Sequence, residues 1–403
     1  MTTSALAPHA VHTLPAISGY VKPGFEPVRD AFAANFERRG ELGAACCVYH
    51  RGEKVVDLWG GVRNEATGEP WQEDTMVIVF SATKGMAALA MALAHTRGLL
   101  DYDERVSHYW PEFAQNGKEN ITVRQLLAHQ AGLYAFAELN DRDLLADPGR
   151  LAQVLARQKP AHPPGARQFY HGMTLGFYES ELLRRVDPQH RTLGQYFQDE
   201  IASPLGLDFY IRLPEQIPNA RLAVLRQAKL GLSDLFTLPF ALFLAGMTPH
   251  SAIRRALAGS LLPLDRERIY ARDFEVPAGG GVGTARALAQ AYSVCATGGT
   301  ELGLREDTLN QLMAPAIPPL TGFRDGALKV KIRFSLGFMK PDPAHPYGSP
   351  SSFGSPGAGG SFAYADPAAK TAYAYVLNRT GWYLEDPRDL ALRAALRRAL
   401  KQA

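Results

Sequence analysis

The stretch V-F-S-A-T-K-G-M, residues 79–86, places Ser81 and Lys84 three residues apart, after an apolar run and before an alanine-rich segment. Positions i and i+3 of a helix share one face, so the serine hydroxyl and the lysine amine can meet. In the first helical turn, free N–H groups favour negative charge. Ser81 is therefore a candidate nucleophile whose own N–H forms half of an oxyanion hole, with Lys84 as base or proton relay. The alternative is that Ser81 caps the helix and Lys84 reaches solvent, and the motif alone leaves both open.

The segments on either side of this motif alternate between helical and extended patterns. Residues 26–39 have helical spacing, and residues 44–62 read as two strands around a turn. Residues 76–80 form an extended apolar run that leads into Ser81. Residues 85–95 are apolar on every side, which predicts a buried helix. Residues 121–133 predict a helix that begins at a Thr cap, ends at a Gly and contains His129.

Strand patterns return only late in the chain, in K-I-R-F-S-L-G-F-M, F-G-S-P-G-A-G-G-S-F-A-Y-A and T-A-Y-A-Y-V-L-N, and a last helix follows over residues 386–401. Most of the intervening chain reads as helix or loop. The sequence therefore predicts an α+β fold (an α/β-sandwich), with an antiparallel sheet built from both chain ends and flanked by helices. We expect an α/β domain over residues 1–115 and 275–403 and a mostly helical inserted domain over residues 116–274.

Composition and charge exclude several classes of function. Lys plus Arg (43) nearly balance Asp plus Glu (40), and the two signs are interleaved, so nucleic-acid binding is not expected. The three cysteines indicate free thiols in a reducing compartment, because adjacent Cys46 and Cys47 point to opposite faces of a strand. The N-terminus lacks a signal-peptide pattern, so a cytoplasmic location is predicted. The most apolar run, residues 235–247, is shorter than the roughly 20 residues of a membrane span and contains Pro239.

Other chemical motifs are weaker. The G-x-S-x-G elbow of α/β-hydrolases is absent, and no H-E-x-x-H or Cys/His cluster indicates a metal. The glycines of residues 279–283 match neither nucleotide-binding pattern and predict a turn before a helix capped by Thr284. His171 suggests a Ser-His scheme, but a structural or pocket role is favoured. No cofactor is expected.

The blocks that follow S-A-T-K make a longer pattern. The sequence resembles the serine β-lactamase and penicillin-binding-protein superfamily, class C-like, and within it the family VIII carboxylesterases. The resemblance spans about residues 74–367 and is carried by ordered blocks, namely A-H-T-R-G-L-L-D-Y-D-E-R-V-S-H-Y-W-P-E-F, I-T-V-R-Q-L-L-A-H-Q-A-G-L, P-P-G-A-R-Q-F-Y-H-G-M-T-L-G, A-G-G-G-V-G-T-A-R-A-L-A and F-G-S-P-G-A-G-G-S-F-A-Y-A-D-P.

This resemblance implies site residues that spacing alone does not. It implies Ser81 as the acylated nucleophile with Lys84 as its partner, and Tyr170, at the tyrosine of the family's Y-x-N element, as general base and acid. Ser355-Pro356-Gly357 corresponds to K-T-G, and the N–H of Ala358 would complete the oxyanion hole with that of Ser81. The remaining predicted pocket residues are His171, Gly172, Ser355, Gly357 and Gly359.

Two departures from the family pattern bear on the substrate. The Asn of Y-x-N is Gly172 and the Lys of K-T-G is Ser355, so the groups that would hold a lactam amide and carboxylate are missing. We therefore expect a serine carboxylesterase for short to medium acyl esters, with residues 235–247 as a possible pocket wall or lid. The alternatives are a β-lactamase or D-amino-acid peptidase, and a penicillin-binding-like sensor without turnover. The expected partner is a small-molecule ester, and a homo-oligomer is compatible with the sequence.

Overall fold

The computed structural model describes residues 16–227, 246–381 and 385–402. The strands of these ranges are, in chain order, β1 (Ile17–Val21), β2 (Gly43–His50), β3 (Glu53–Asn64), β4 (Glu69–Pro70), β5 (Val77–Ile78), β6 (Phe209–Tyr210), β7 (Arg226–Gln227), β8 (Leu264–Asp265), β9 (Ile269–Tyr270), β10 (Val282–Gly283), β11 (Arg333–Ser335), β12 (Phe338–Lys340), β13 (Phe353–Pro356), β14 (Phe362–Asp366), β15 (Thr371–Leu377) and β16 (Arg379–Thr380).

The α-helices of the same ranges are α1 (Glu26–Arg38), α2 (Thr83–Thr96), α3 (Val106–Tyr109), α4 (Val123–Leu127), α5 (Arg142–Leu145), α6 (Pro148–Arg157), α7 (Thr174–Val186), α8 (Leu193–Phe197), α9 (Ser203–Leu205), α10 (Ala252–Ala256), α11 (Ala285–Ala296), α12 (Glu306–Met313) and α13 (Pro387–Ala399). None of these helices is both long and apolar enough to cross a membrane.

The main sheet joins the two ends of the chain, as the sequence predicted. Its order is β1-β3-β2-β15-β14-β13-β12-β11, with β4 on the side of β3, and neighbouring strands are antiparallel. The seam between the ends is the β2–β15 pair, which runs from Thr371 opposite His50 to Leu377 opposite Ala44. The predicted α+β fold is therefore confirmed.

Helices cover both faces of this sheet. One face packs against α1 and α13 through a cluster that includes Phe32, Cys46 and Leu396. The other face packs against α2 and α11 through a cluster that includes Cys47 and Met86. Adjacent residues of a strand point to opposite faces, so the two cysteines fall in different clusters, and both are free buried thiols. The second cluster continues into α4, α6 and α7, and the domain boundaries near residues 115 and 274 stay a prediction.

Two sequence predictions in the middle of the chain have different outcomes. The helix capped by Thr284 is confirmed, since the Thr284 hydroxyl accepts from the N–H of Ala287 at the start of α11. The predicted turn over residues 279–283 is wrong at Val282 and Gly283, which form strand β10. The single helix over residues 121–133 is wrong beyond Leu127, because α4 ends there and His129 has a φ of +60°. His129 lies outside the helix for this reason. The predicted wall or lid, residues 235–247, lies outside the described residues except for its last two positions.

Candidate active site

Ser81 lies in a single 3-10 turn, Phe80–Ala82, between β5 and α2. Phe80 has a φ of +47°, which a side chain with a Cβ rarely adopts, so the surrounding contacts must hold this turn in place. The Thr83 hydroxyl makes two of these contacts. It donates to the carbonyl oxygen of Phe80 at 2.5 Å and accepts from the N–H of Gly281 at 2.9 Å. These contacts place Ser81 just before the buried helix α2 rather than within it.

Lys84 is buried, with 2% of its surface exposed, and its nitrogen has three hydrogen-bond contacts among the described residues. The Nζ atom lies 2.6 Å from the carbonyl oxygen of Gly172, 2.7 Å from that of Ala278 and 3.2 Å from Ser81 Oγ. A carbonyl oxygen only accepts hydrogen bonds, so two N–H bonds of Lys84 point at the carbonyls. The remaining position on the nitrogen, an N–H or a lone pair, is then directed at Ser81 Oγ. The amine can therefore give a proton to the serine or take one from it.

Tyr170 reaches the same oxygen from the other side. Its hydroxyl lies 2.7 Å from Ser81 Oγ, within the range of a strong O–H···O hydrogen bond. The Nζ atom of Lys84 lies 4.9 Å from the centre of the Tyr170 ring. The ring packs against Phe334, at 5.6 Å between ring centres, and against His129, at 5.1 Å. The tyrosine is thus held by packing, with the Lys84 amine near its ring and its hydroxyl on Ser81 Oγ.

His129 and His171 form a buried pair behind Tyr170. The Nε2 atom of His171 accepts from the N–H of Leu133 at 3.0 Å, so its proton lies on Nδ1, which faces Nδ1 of His129 at 3.2 Å. Burial lowers the pKa of His171 to about 3 and lowers that of His129 well below its usual range. Both rings are therefore neutral at ordinary pH. They position the main chain on either side of Tyr170.

Strand β13 runs past the Ser81 turn and is attached to it. The Ser355 hydroxyl donates to the main-chain carbonyl oxygen of Ser81 at 2.7 Å. The next loop turns sharply at Gly359 and Gly360, which have φ values of +92° and +120°. The carbonyl oxygen of Gly359 accepts from the N–H of Gly381 at 2.9 Å. These contacts fix the position of the intervening residue, Ala358, relative to Ser81.

The two N–H groups predicted to form the oxyanion hole belong to Ser81 and Ala358. Both residues line the same cavity, and neither main-chain N–H donates to another residue in the described part of the chain. An N–H without a protein acceptor at a cavity wall is available to a ligand oxygen. The arrangement suits a tetrahedral intermediate formed at Ser81 Oγ.

Gly357 allows β13 to approach the nucleophile turn. A Cβ atom on Gly357 would overlap the carbonyl oxygen of Val79, which belongs to the chain entering the turn. We expect Gly357→Ala to push the turn away and to lower kcat/KM by about 100-fold or more, because small displacements of reacting groups are that costly. Ester kinetics and thermal melting would measure both effects. Gly149→Ala is the matched control, since its Cβ would meet nothing closer than 3.4 Å, and an equally active Gly357→Ala variant would contradict the prediction.

Gly172 contributes its main chain and the space where a side chain would be. Its carbonyl oxygen holds Lys84, and a Cβ atom at this position would overlap the carbonyl oxygen of Ala256 at the end of α10. The Asn expected from the Y-x-N pattern therefore has no room here. The space that an Asn side chain would need at residue 172 is filled by the end of α10, which packs against Gly172.

A cavity of about 190 Å³ lies beside Ser81. Its wall is mostly apolar and comes from the end of α10, from the segment around β11 and β12 and from later residues, namely Leu257, Leu328, Val330, Ile332, Phe334, Met339, Tyr347 and Phe362. Three carboxyl groups line it as well, those of Glu385, Asp386 and Asp389, with Arg393. Arg393 is paired with Asp389 at 2.7 Å and with Glu385 at 3.3 Å. Asp386 is paired with Arg388 at 2.7 Å, so each carboxyl group at this polar end of the cavity has a guanidinium partner.

The structure brings most of the predicted site residues together. Ser81, Lys84, Tyr170, Ser355, Gly357 and Ala358 line the cavity. Among the described residues that line it, His171, Gly172 and Gly359 do not appear. The His171 ring accepts a hydrogen bond from Leu133 inside the core. The carbonyl oxygen of Gly172 holds Lys84, and that of Gly359 accepts from the N–H of Gly381. The sequence reading missed the Thr83 hydroxyl and the carbonyl oxygen of Ala278.

Comparison with known proteins agrees with this geometry. The beta-lactamase family model matches residues 28–398. The chain belongs to the beta-lactamase family. Members that it resembles include the esterase/beta-lactamase LipL of Mycobacterium tuberculosis, which is 34% identical over 371 residues, covering 90% of this chain and 83% of LipL. The esterase EstB of Burkholderia gladioli is 32% identical over 106 residues, covering 25% of this chain and 27% of EstB.

Solved structures of the family have the same fold. A family VIII carboxylesterase superimposes with a TM-score of 0.83 at 34% identity, covering 95% of this chain and 100% of the other. EstA from Arthrobacter nitroguajacolicus Rue61a gives a TM-score of 0.80 at 31% identity, covering 95% and 98%. A penicillin-binding protein homologue from Caulobacter crescentus gives 0.81 at 34% identity, covering 95% and 100%. This member of the family is a serine hydrolase.

Proposed function

We propose that this protein is a serine carboxylesterase that hydrolyses short to medium acyl esters through an acyl-enzyme on Ser81. One observation carries the proposal. Ser81 Oγ lies 2.7 Å from the Tyr170 hydroxyl and 3.2 Å from Lys84 Nζ, beside a mostly apolar cavity. A serine oxygen between a proton acceptor and a buried amine is the arrangement that nucleophilic catalysis requires.

The reaction follows from these contacts. Tyr170 reacts as the phenolate, whose negative charge Lys84 stabilises. The phenolic oxygen takes the Ser81 proton as Oγ attacks the ester carbonyl carbon, and Tyr170 becomes a neutral phenol. The N–H groups of Ser81 and Ala358 hold the oxyanion of the tetrahedral intermediate. The C–O bond of the ester breaks, Tyr170 returns the proton to the leaving alcohol, and an acyl group remains on Ser81. Water then attacks the acyl-enzyme by the same route and releases the acid.

The charges around the cavity support a neutral ester rather than an anionic lactam. The Ser355 hydroxyl is already bonded to the main chain of Ser81. The guanidinium of Arg393 is paired with two carboxylates. Lys84, the other cation of the described lining, is engaged by Ser81 Oγ and two carbonyl oxygens. A lactam carboxylate would therefore compete with existing partners for either cation, whereas a neutral ester loses little.

A β-lactamase is the second candidate, and the combined esterase and beta-lactamase name of LipL favours keeping it. Turnover of p-nitrophenyl butyrate and of nitrocefin by the same preparation separates the two. We expect steady ester turnover, with a kcat/KM at least about 100-fold above that for nitrocefin. Acid quenching during ester turnover, followed by peptide mass spectrometry, should find a butyryl group on Ser81. Preference for nitrocefin would favour the second candidate, and a stoichiometric burst without turnover would indicate a sensor.

The state of the cysteines bears on the cellular location. Cys46, Cys47 and Cys295 are free and buried. Free thiols are typical of a reducing compartment. The cytoplasm stays our prediction for this enzyme, to be tested by fractionation of the native host.

A further inference from the structure

Glu179 is a buried carboxyl group that the reaction above does not use. It lies on α7 with no exposed surface, and neither of its side-chain oxygens has a hydrogen-bond partner among the described residues. Burying a carboxyl group without a partner costs several kcal/mol when it is charged, so such groups are rare in native proteins. The position of Glu179 therefore calls for an explanation.

The carboxyl group lies beneath the cavity floor, beside the helix that carries Lys84. Gly337 lines the cavity, and a Cβ atom built on it would lie 2.7 Å from the Cβ atom of Ala88 and 3.3 Å from Oε1 of Glu179. Ala88 follows Lys84 by one turn of α2, on the same face. Glu179 Oε1 and the Ala88 Cβ atom thus border the same glycine, one turn of α2 from the lysine.

Two titratable groups face Glu179 from the elements packed against it in the described structure. They are Lys84 from α2 and Tyr102 from the chain that follows α2, whose buried hydroxyl also has no partner there. Burial raises the pKa of Glu179 to about 8, and the charge of Lys84 opposes this rise. The carboxyl group is therefore mostly neutral at pH 7 and ionises in mildly alkaline solution.

Lys84 has no carboxylate among its direct contacts in the described residues, only Ser81 Oγ and two carbonyl oxygens. We propose that Glu179 is a positioning residue that acts through Lys84, as the buried counter-ion of its amine in alkaline solution. The attraction between two charges is strong in an interior that excludes water. The inference rests on the proposed function, because the ammonium form of Lys84 is what stabilises the charge on Tyr170.

The test is the pH dependence of kcat/KM for p-nitrophenyl butyrate in Glu179→Gln, which has the same shape and does not ionise. Product is read at the isosbestic wavelength of p-nitrophenol, after subtraction of spontaneous hydrolysis. Near pH 6.5 the variant should be within about threefold of wild type, since the carboxyl group is neutral there. The alkaline limb of the profile should move to lower pH by about one unit, because the variant has no carboxylate to attract the charge of Lys84.

Two further variants separate this role from a structural one. Glu179→Met, neutral and able to fill an apolar site, should move the limb in the same direction if the Gln variant does not fold. Glu275→Gln is the matched control, because Glu275 is a second buried carboxyl group with a raised pKa that contacts Thr192 and Gly194 instead. Its profile should match wild type.

The outcomes are distinguishable. Profiles that superimpose, a limb that moves to higher pH, or a uniform loss of activity with an unmoved limb would each overturn the role of Glu179. Turnover of nitrocefin but not of esters would overturn the proposed function instead. In that case the pH dependence of kcat/KM is measured with nitrocefin, and the same shift of its alkaline limb tests the role of Glu179.

Discussion

Replacing Ser81 by alanine should abolish hydrolysis of p-nitrophenyl butyrate while the protein stays folded. The Oγ atom is the only group in the proposed mechanism that forms a bond to the acyl carbon, so kcat should fall by a factor on the order of 10⁴ or more. The main-chain carbonyl oxygen of Ser81, which Ser355 holds, is unchanged by the substitution. Steady-state kinetics and thermal melting would measure the two effects.

The control for this substitution is Ser335→Ala. Ser335 is a buried serine on β11 that does not line the cavity, although its neighbour Phe334 does. Its activity should stay close to that of wild type. Undiminished ester hydrolysis by Ser81→Ala, from a preparation free of other esterases, would rule out the acyl-enzyme.

Removal of the Tyr170 hydroxyl should have the second largest effect. Tyr170→Phe keeps the ring packed against Phe334 and His129 but leaves no group to take the Ser81 proton. Positioned acids and bases contribute about 10²–10⁴-fold to rate, and we expect a loss of kcat of that order. KM should change little, because the ring still lines the cavity. The measurement is a full kinetic comparison with short acyl esters.

Tyr347→Phe is the matched control for that loss. Tyr347 lines the same cavity, but its hydroxyl donates to the main-chain carbonyl oxygen of Met339 instead of contacting the nucleophile. We expect a small loss of stability, about 1 kcal/mol, and near-normal kcat. If both variants lost activity equally, Tyr170 would be part of the cavity wall and not the proton acceptor.

The parts of the fold that the sequence predicted well depend on local patterns. The all-apolar run after Ser81 indicated the buried helix, and alternation on either side of the chain turn at Arg51 indicated the strands β2 and β3. The S-x-x-K spacing put the serine and lysine within reach because i and i+3 are neighbours in any helical turn. The resemblance added Tyr170, which no spacing to Ser81 could have identified among sixteen tyrosines.

The helix predicted over residues 121–133 was wrong beyond Leu127, and tertiary contacts are the reason. The Thr cap and the glycine were real signals, but the helix ends at Leu127 because His129 adopts a left-handed conformation. There its ring packs on Tyr170 and its Nδ1 accepts from the N–H of His171. Tertiary contacts overrode a favourable helical pattern, which a local reading has no means to detect.

By itself, the sequence determined the nucleophile motif, the buried helix behind it, the mixed fold and the residues that depart from the lactamase pattern. Only the tertiary structure decided what surrounds them. The carbonyl oxygens that hold Lys84 come from residues 88 and 194 positions away along the chain. The apolar wall comes from the β11 and β12 region, and Glu179 comes from a separate helix. Contacts at such separations are set by how the sheet and helices pack, and packing leaves no periodic trace in the sequence.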